Sequence, residues 1–325
     1  MAAIPVQPVQ PARRRWPRRF SLGRSPLARR EARWGLVFIA PWIIGFLAFT
    51  LLPLLASLVF VFSNISLSAD EPFRLVGLTN IRNMLADRQV WEALGVTFKF
   101  AALNLPIAIV IPFAVALVLN SKYLVGSSFF RTFFFLPYVI PFVSGVLAWQ
   151  GMLNLETGWV NLVLRFLGVQ NPPDWLGDPA TIYPSLAFIG LWGIGAGVIV
   201  NLAGLRGVPT ELYDAAHIDG AGWWSTLRHV TLPLMSPVIF YSLVLGIVDV
   251  LQYFLVPLVL YNGSGEPGGS TLFFNLILYK HAFAYQNFGY AATLAWLLFL
   301  ITLGITLLVF RTARYWVYYG GERPS

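Results

Sequence analysis

Two ionisable side chains stand inside long apolar stretches, and their chemistry is the hardest in the chain to place. Asp249 lies in the run 237–261 and Lys99 in the run 93–119. A charge facing lipid costs about 2.5–3.5 kcal/mol at the centre of a span, so each should turn inward or find a partner. At 1.5 Å per residue, Asp249 lies roughly 18 Å from one edge and Lys99 about 10 Å from the other. In a hydrocarbon core of roughly 30 Å the two share a depth. Pairing and separate places along a polar pathway both remain open, and the long stem of Lys99 can also snorkel outward. Asp249 belongs to a stripe in which Ser242, Gly246, Asp249 and Tyr253 recur at i, i+4, i+7 and i+11, with Gln252 beside them. Trp192, Gly193 and Asn201 stand in the run 182–204. Gly190, Gly193, Gly195 and Gly197 could equally serve only to let helices approach closely.

Covalent chemistry is poorly provided for. A nucleotide-binding phosphate loop ends in Gly-Lys, whereas Lys99, Lys122 and Lys280 follow Phe98, Ser121 and Tyr279. The chain has no cysteine, which excludes a thiol nucleophile, a disulfide and a thiolate-bound metal. His217, His229 and His281 form no ligand cluster, and no Gly-x-Ser-x-Gly elbow occurs. No catalytic residue, metal site or cofactor is therefore expected, and any ATP hydrolysis must come from another subunit.

The elements that position these residues follow from composition. Of 325 residues, 57% are hydrophobic and 11% charged, which describes a polytopic membrane protein. The net charge of +8 does not point to nucleic acid, because nine of the twenty-two Lys and Arg residues fall within 13–33, directly before the first apolar run. The basic segment 1–33 is expected to be a disordered cytoplasmic anchor against membrane lipid. Six spans are expected at about 34–62, 93–119, 129–153, 182–204, 237–261 and 288–310, giving an all-α integral membrane protein whose transmembrane domain covers 34–320. The first is too long for a signal-peptide core. Sixteen Lys and Arg residues fall on the side of the N-terminus, the loop near 120–131, the loop 206–236 and the tail 311–325, against five on the other side. Both termini and the loop 206–236 are accordingly expected in the cytoplasm.

That loop has helical logic of its own. Pro209 and Thr210 read as a helix start, and Leu212, Ala215, Ala216 and Asp219 share a face at i, i+3, i+4 and i+7. Gly220 can take the left-handed cap. The spacing predicts an exposed helix of about two turns, roughly 12 Å long. A further turn or two is expected over 223–229, and Pro233 and Pro237 restart a span.

Tyr213-Asp214-Ala215-Ala216-His217-Ile218-Asp219-Gly220-Ala221, followed by Val230-Thr231-Leu232-Pro233, resembles the Glu-Ala-Ala loop of ABC-importer permeases. Asp214 stands where that family usually has Glu, and Leu227 where it often has Phe. Val76-Gly77-Leu78-Thr79-Asn80 is similar to the Val-Gly-Leu-x-Asn-Tyr segment of maltose-type carbohydrate permeases, with Ile81 in place of Tyr. Phe129 to Pro141 resembles their third-span entry. The resemblance implies a six-span permease fold in which Asp214, Ala215, Ala216, Asp219, Gly220 and Ala221 couple to a cytoplasmic ATPase. It further implies a second, homologous permease, two ABC ATPase subunits that bind ATP and Mg, and an extracellular solute-binding protein, in a bacterial or archaeal plasma membrane. The solute it implies is a sugar, oligosaccharide or related polyol, the transport cycle is alternating access, and the spans on either side of the loop line the cavity with hydrogen-bonding groups and aromatic faces, which makes Trp192, Gly193 and Asn201 candidates beside the stripe through Asp249. An ABC permease for amino acids or peptides would share the loop but should lack 76–80. An ion-coupled secondary transporter would leave the loop unexplained.

Overall fold

The computed structural model describes residues 26–66, 72–121 and 124–318. The basic segment 1–33 thus lies outside the described residues up to position 25, as does the tail from 319. Two compact units divide at Ala56. The first holds α1 (Pro26–Phe46), a π-helical turn over Leu47–Leu51 and the start of α2 (Leu52–Val61). Pro53 brings no N–H to the ladder, and the turn before it widens so that the Leu52 amide donates to the Leu47 carbonyl. Pro41 sits within α1 without ending it. Phe38 and Phe49 are at least four-fifths exposed, as lipid-facing side chains would be.

The second unit carries the remaining helices. They are α3 (Thr79–Ala86), α4 (Arg88–Leu119), α5 (Ser127–Val139), α6 (Phe142–Met152), α7 (Trp159–Phe166), α8 (Ile182–Leu191), α9 (Gly195–Arg206), α10 (Thr210–Ile218), α11 (Trp223–Thr226), α12 (Leu232–Leu251), α13 (Leu255–Tyr261), α14 (Phe274–Tyr279) and α15 (Phe288–Ala313). Among the described residues there is no β-strand, only two isolated bridges. Four stretches are long and apolar enough to cross a membrane unaided: 30–61, 88–119, 223–261 and 288–313. Two more crossings arise if bent pairs are counted as one each. Helices α5 and α6 meet at 100°, and α8 and α9 at 60°.

Both bends have local causes. Ile140 is extended at ψ 132° between Pro137 and Pro141, because the residue before a proline avoids the helical region and Pro141 itself offers no N–H. At the other break the chain turns through 192–194, beside Gly190, Gly193 and Gly195. The run 129–153 is therefore two helices rather than one rod, and so is 182–204. The run 237–261 belongs to a longer stretch that starts at Trp223, continues through a π-helical turn at Leu227–Thr231 and is interrupted between Leu251 and Leu255.

Packing is concentrated at two levels. Ala116, Leu119, Val198, Leu202, Leu205 and Met235 form a core at the end that carries α10. A larger core at the other end joins α4, α8, α12, α13, α14 and α15 through buried residues such as Phe100, Leu186, Leu251, Phe274 and Leu294. Close helix contacts depend on absent side chains. A Cβ on Gly195 would stand 2.5 Å from the Phe134 carbonyl oxygen, and one on Gly197 3.2 Å from the Pro112 side chain. Gly195 and Gly197 therefore serve helix approach.

Candidate functional site

Helix α10 is built from local signals. Pro209 precedes it in an extended conformation at ψ 132°. At its other end Gly220 takes φ +74°, its amide donating to the His217 carbonyl at 3.1 Å while the Ala221 amide reaches the Ala216 carbonyl at 2.9 Å. This pair of bonds is a Schellman cap. The helix is fastened on one side, where the hydroxyls of Tyr213 and Thr231 lie 3.3 Å apart and Thr231 is buried. Asp214, Ala215 and Asp219 are exposed, Ala216 and Ala221 half-buried, and Leu212 also faces out. Ile218, Trp223 and Trp224 are between 65% and 87% exposed, so the surface around the helix is both apolar and acidic. Of the face at 212, 215, 216 and 219, only Ala216 turns toward the protein. That arrangement suits docking of a partner.

Deeper in the bundle lie two adjoining cavities. One, of about 320 Å³, is bounded by α4 through Asn104, Leu105 and Ala108, by the α8–α9 break, and by Gly246, Asp249 and Tyr253. The other, of about 450 Å³, is walled by Tyr138, Phe142, Trp149, Trp192 and Val256. Gly190, Gly193 and Tyr253 border both. A Cβ on Gly190 would meet nothing within 4 Å, and one on Gly193 nothing nearer than 3.8 Å, so these two glycines border open space, whereas Gly195 only closes a helix contact and Gly197 both meets Pro112 and borders the polar cavity. Trp149 stands edge-on to Trp192 at 5.6 Å and to Phe188 at 5.1 Å. Tyr253 packs on Phe100 at 4.7 Å and on Phe273 at 5.2 Å, which fixes its ring between the cavities. One chamber is therefore aromatic, and the other carries the polar side chains Asn104 and Asp249. Both volumes fall in the range of small-molecule sites, about 300–1,000 Å³.

Trp192, Gly193, Gly246, Asp249 and Tyr253 thus come together at these cavities. Asn201 does not: it is buried and its side-chain amide donates to the Gly197 carbonyl at 2.8 Å, one turn back in its own helix. The carbonyl of Gln252 accepts from the Asn275 side chain at 2.8 Å, beside the cavities rather than in their walls. Ser242 lies a turn before Gly246, half-buried and outside both linings. Lys99 and Asp249 form no ion pair; among the described residues the one such pair joins Arg88 to Glu92 at 2.6 Å. Asn104 lies five positions after Lys99, which places them roughly 140° apart around α4. Asn104, Tyr138 and Trp149 were missed by the sequence reading. Asn104 had a signal, as an amide inside an apolar run.

At the end opposite α10, the segment 76–80 has a structural role. The Asn80 side chain donates to the carbonyls of Val61 and Ser63, both at 2.9 Å, and the Val76 amide donates to the Phe62 carbonyl at 2.8 Å. Nearby, the Tyr290 hydroxyl donates to the Asp87 carboxylate at 2.9 Å, while Asp87 caps α4 by accepting from the Gln89 amide. His281 packs against the rings of Tyr290 at 4.6 Å and Tyr285 at 5.1 Å. Burial lowers the pKa of its imidazole, with Asp87 opposing and Lys280 adding to the effect.

Broken apolar crossings around polar and aromatic cavities, with a capped helix presented at one end, define a polytopic helical membrane protein of the permease class. Residues 88–316 match the family described as the binding-protein-dependent transport system inner membrane component, and the chain belongs to that family. It is accordingly a multi-pass permease subunit of an ABC importer in the inner membrane. It is 32% identical to the probable ABC transporter permease protein YesP of Bacillus subtilis, over 92% of this chain and 96% of that one. It is 30% identical to the trehalose/maltose transport system permease protein MalF of Thermococcus litoralis, over 90% and 97%. It is 32% identical to the lactose transport system permease protein LacF of Rhizobium radiobacter, again over 90% and 97%. The fold is also that of a chain in the crystal structure of a bacterial alginate ABC transporter in complex with an alginate pentasaccharide-bound periplasmic protein. That likeness has a TM-score of 0.77 at 23% identity and covers 89% of this chain and 98% of the other.

Proposed function

We propose that this permease imports a sugar, an oligosaccharide or a related polyol, in a complex with a second, homologous permease, two ATPase subunits that bind ATP and Mg, and an external solute-binding protein. The substrate class is supported by relatives named for trehalose and maltose and for lactose. The observation that carries it within this chain is the pair of adjoining chambers around Gly190, Gly193 and Tyr253. Trp149 and Trp192 offer aromatic faces to the apolar side of a sugar ring, while Asn104 and Asp249 offer an amide and a carboxylate to its hydroxyls.

Energy enters through α10. Asp214, Ala215, Ala216, Asp219, Gly220 and Ala221 form the surface offered to an ATPase, with both termini and the loop 206–236 in the cytoplasm, the side richer in Lys and Arg. ATP-driven closure of the ATPases would displace α10, and the Tyr213–Thr231 contact would pass that movement to α12, which bears Asp249. The cavity would thereby change the side to which it opens. Proteoliposomes containing the complete complex test this reading. ATP-dependent uptake of a labelled di- or trisaccharide that requires the solute-binding protein is expected. Uptake of amino acids or peptides with no saccharide taken up would overturn it.

A further inference from the structure

The polar chamber carries one ionisable carboxylate, Asp249, and no Lys, Arg or His in its lining. The helices packed against α12 also keep their basic groups away. On α4, Lys99 points roughly 140° from Asn104, and Arg88 lies about 24 Å back along the helix. On α9, Arg206 lies about 13 Å beyond Gly197, on α15 Arg311 lies in the last turn, and Arg228 and His229 of the π-helical turn lie about 30 Å before Asp249 along the chain that enters α12. No residue on these elements neutralises the carboxylate where a solute would meet it. Asp249 is exposed within this concave space, flanked by Gly246 and by the Tyr253 ring, with Asn104 across the cavity on α4.

We propose that Asp249 makes this chamber a charge filter, favouring polyhydroxylated solutes that are neutral or carry an ammonium group and disfavouring those that carry a carboxylate. This rests on the saccharide reading above and specifies which saccharides the chamber admits. A carboxylate accepts hydrogen bonds from sugar hydroxyls and attracts an ammonium group, but it repels a uronate held in the same space of low dielectric. A charge-assisted hydrogen bond contributes about 10- to 100-fold in affinity, so discrimination of at least about tenfold between cationic and anionic forms is expected.

The test uses the complete transporter in nanodiscs without the solute-binding protein, so that the selectivity of that protein does not enter. Cellotriose, the glucosamine trimer and the galacturonate trimer are compared in equilibrium binding. The wild type should bind the glucosamine trimer at least about tenfold more tightly than the galacturonate trimer. Asp249→Asn should reduce that ratio by about tenfold while cellotriose binding changes less, and Asn104→Asp, which adds a second carboxylate, should widen it. Ratios left unchanged by both substitutions, with all three trimers bound, overturn the charge filter alone. Binding of none of the trimers by the wild type overturns the saccharide reading and the filter with it.

Discussion

The hydroxyls of Tyr213 and Thr231, 3.3 Å apart, tie the exposed α10 to the turn from which α12 rises. Thr231 is buried, whereas much of α10 faces outward, so a force on the helix has a defined point of entry into the bundle. Tyr213→Phe and Thr231→Val each remove one side of this contact, at about 0.5–1.5 kcal/mol. In the reconstituted complex both should lower solute uptake per ATP hydrolysed, and the double variant should be little worse than either single one. Strictly additive losses would show that the two hydroxyls act independently.

Gly220 holds φ +74° at the end of the same helix. Gly220→Val places a β-branched side chain in the left-handed region, at about 1–2 kcal/mol of local strain, and Asp214→Arg reverses a charge on the exposed surface. Both variants should insert normally and lose coupled transport. Wild-type uptake and solute-stimulated ATPase activity in both would remove α10 from the coupling mechanism.

Features set by local chemistry were readable from the sequence. The Pro209 start, the Gly220 cap and the apolar runs each depend on residues close together in the chain, and the structure places α10 at Thr210–Ile218 accordingly. The 100° bend between α5 and α6 was not read, although Pro137 and Pro141 were visible, because prolines can be absorbed in a helix, as Pro106 and Pro112 are in α4. Helix α14 was also missed. It has only six residues, and it is held by burial of Phe273 and Phe274 and by the Phe274 amide donating to Thr97 at 3.0 Å, 177 positions away. The stripe through Asp249 was legible as far as α12 extends. Tyr253 lies past its end at Leu251 and reaches the cavities through the break in the helix. Sequence spacing likewise could not separate Gly195, which closes a helix contact, from Gly190 and Gly193, which border open space.

The orientation has a direct test, since the chain has no cysteine. Single cysteines at Asn171 and Ser264 should react with an impermeant maleimide in intact cells. Cysteines at Val125 and Ser225 should react only after permeabilisation. The reverse pattern would place α10 outside and refute the count of basic residues.

His281 adds a pH dependence to stability. Burial sets its folded pKa below the ordinary imidazole value of 6.5, so below neutrality the unfolded state binds more protons than the folded one. This contribution is fully present above about pH 7 and is lost as pH falls through 6.5 toward the folded pKa. The melting temperature of the purified permease should therefore fall over that window, and the fall should be shallower in His281→Phe. Identical profiles for the two proteins would assign the dependence to other groups.

Asp249 lines the polar chamber and Lys99 does not, and no ion pair joins them. If Asp249 serves the solute, Asp249→Leu should weaken uptake by about 10- to 100-fold through lost charge-assisted hydrogen bonds of about 1.5–3 kcal/mol each. Lys99→Leu should leave transport within about twofold, since a side chain whose long stem can reach the interface gives up little. The double variant should then match Asp249→Leu in both uptake and thermal stability, because residues that share no contact contribute additively. A hidden pair would behave otherwise. Removing one partner would leave an uncompensated charge and destabilise the fold by about 3–5 kcal/mol, and removing both would restore stability and transport together. Measuring uptake and melting temperature for the two single variants and the double therefore separates the outcomes, and full uptake by Asp249→Leu alone would exclude a role in solute binding.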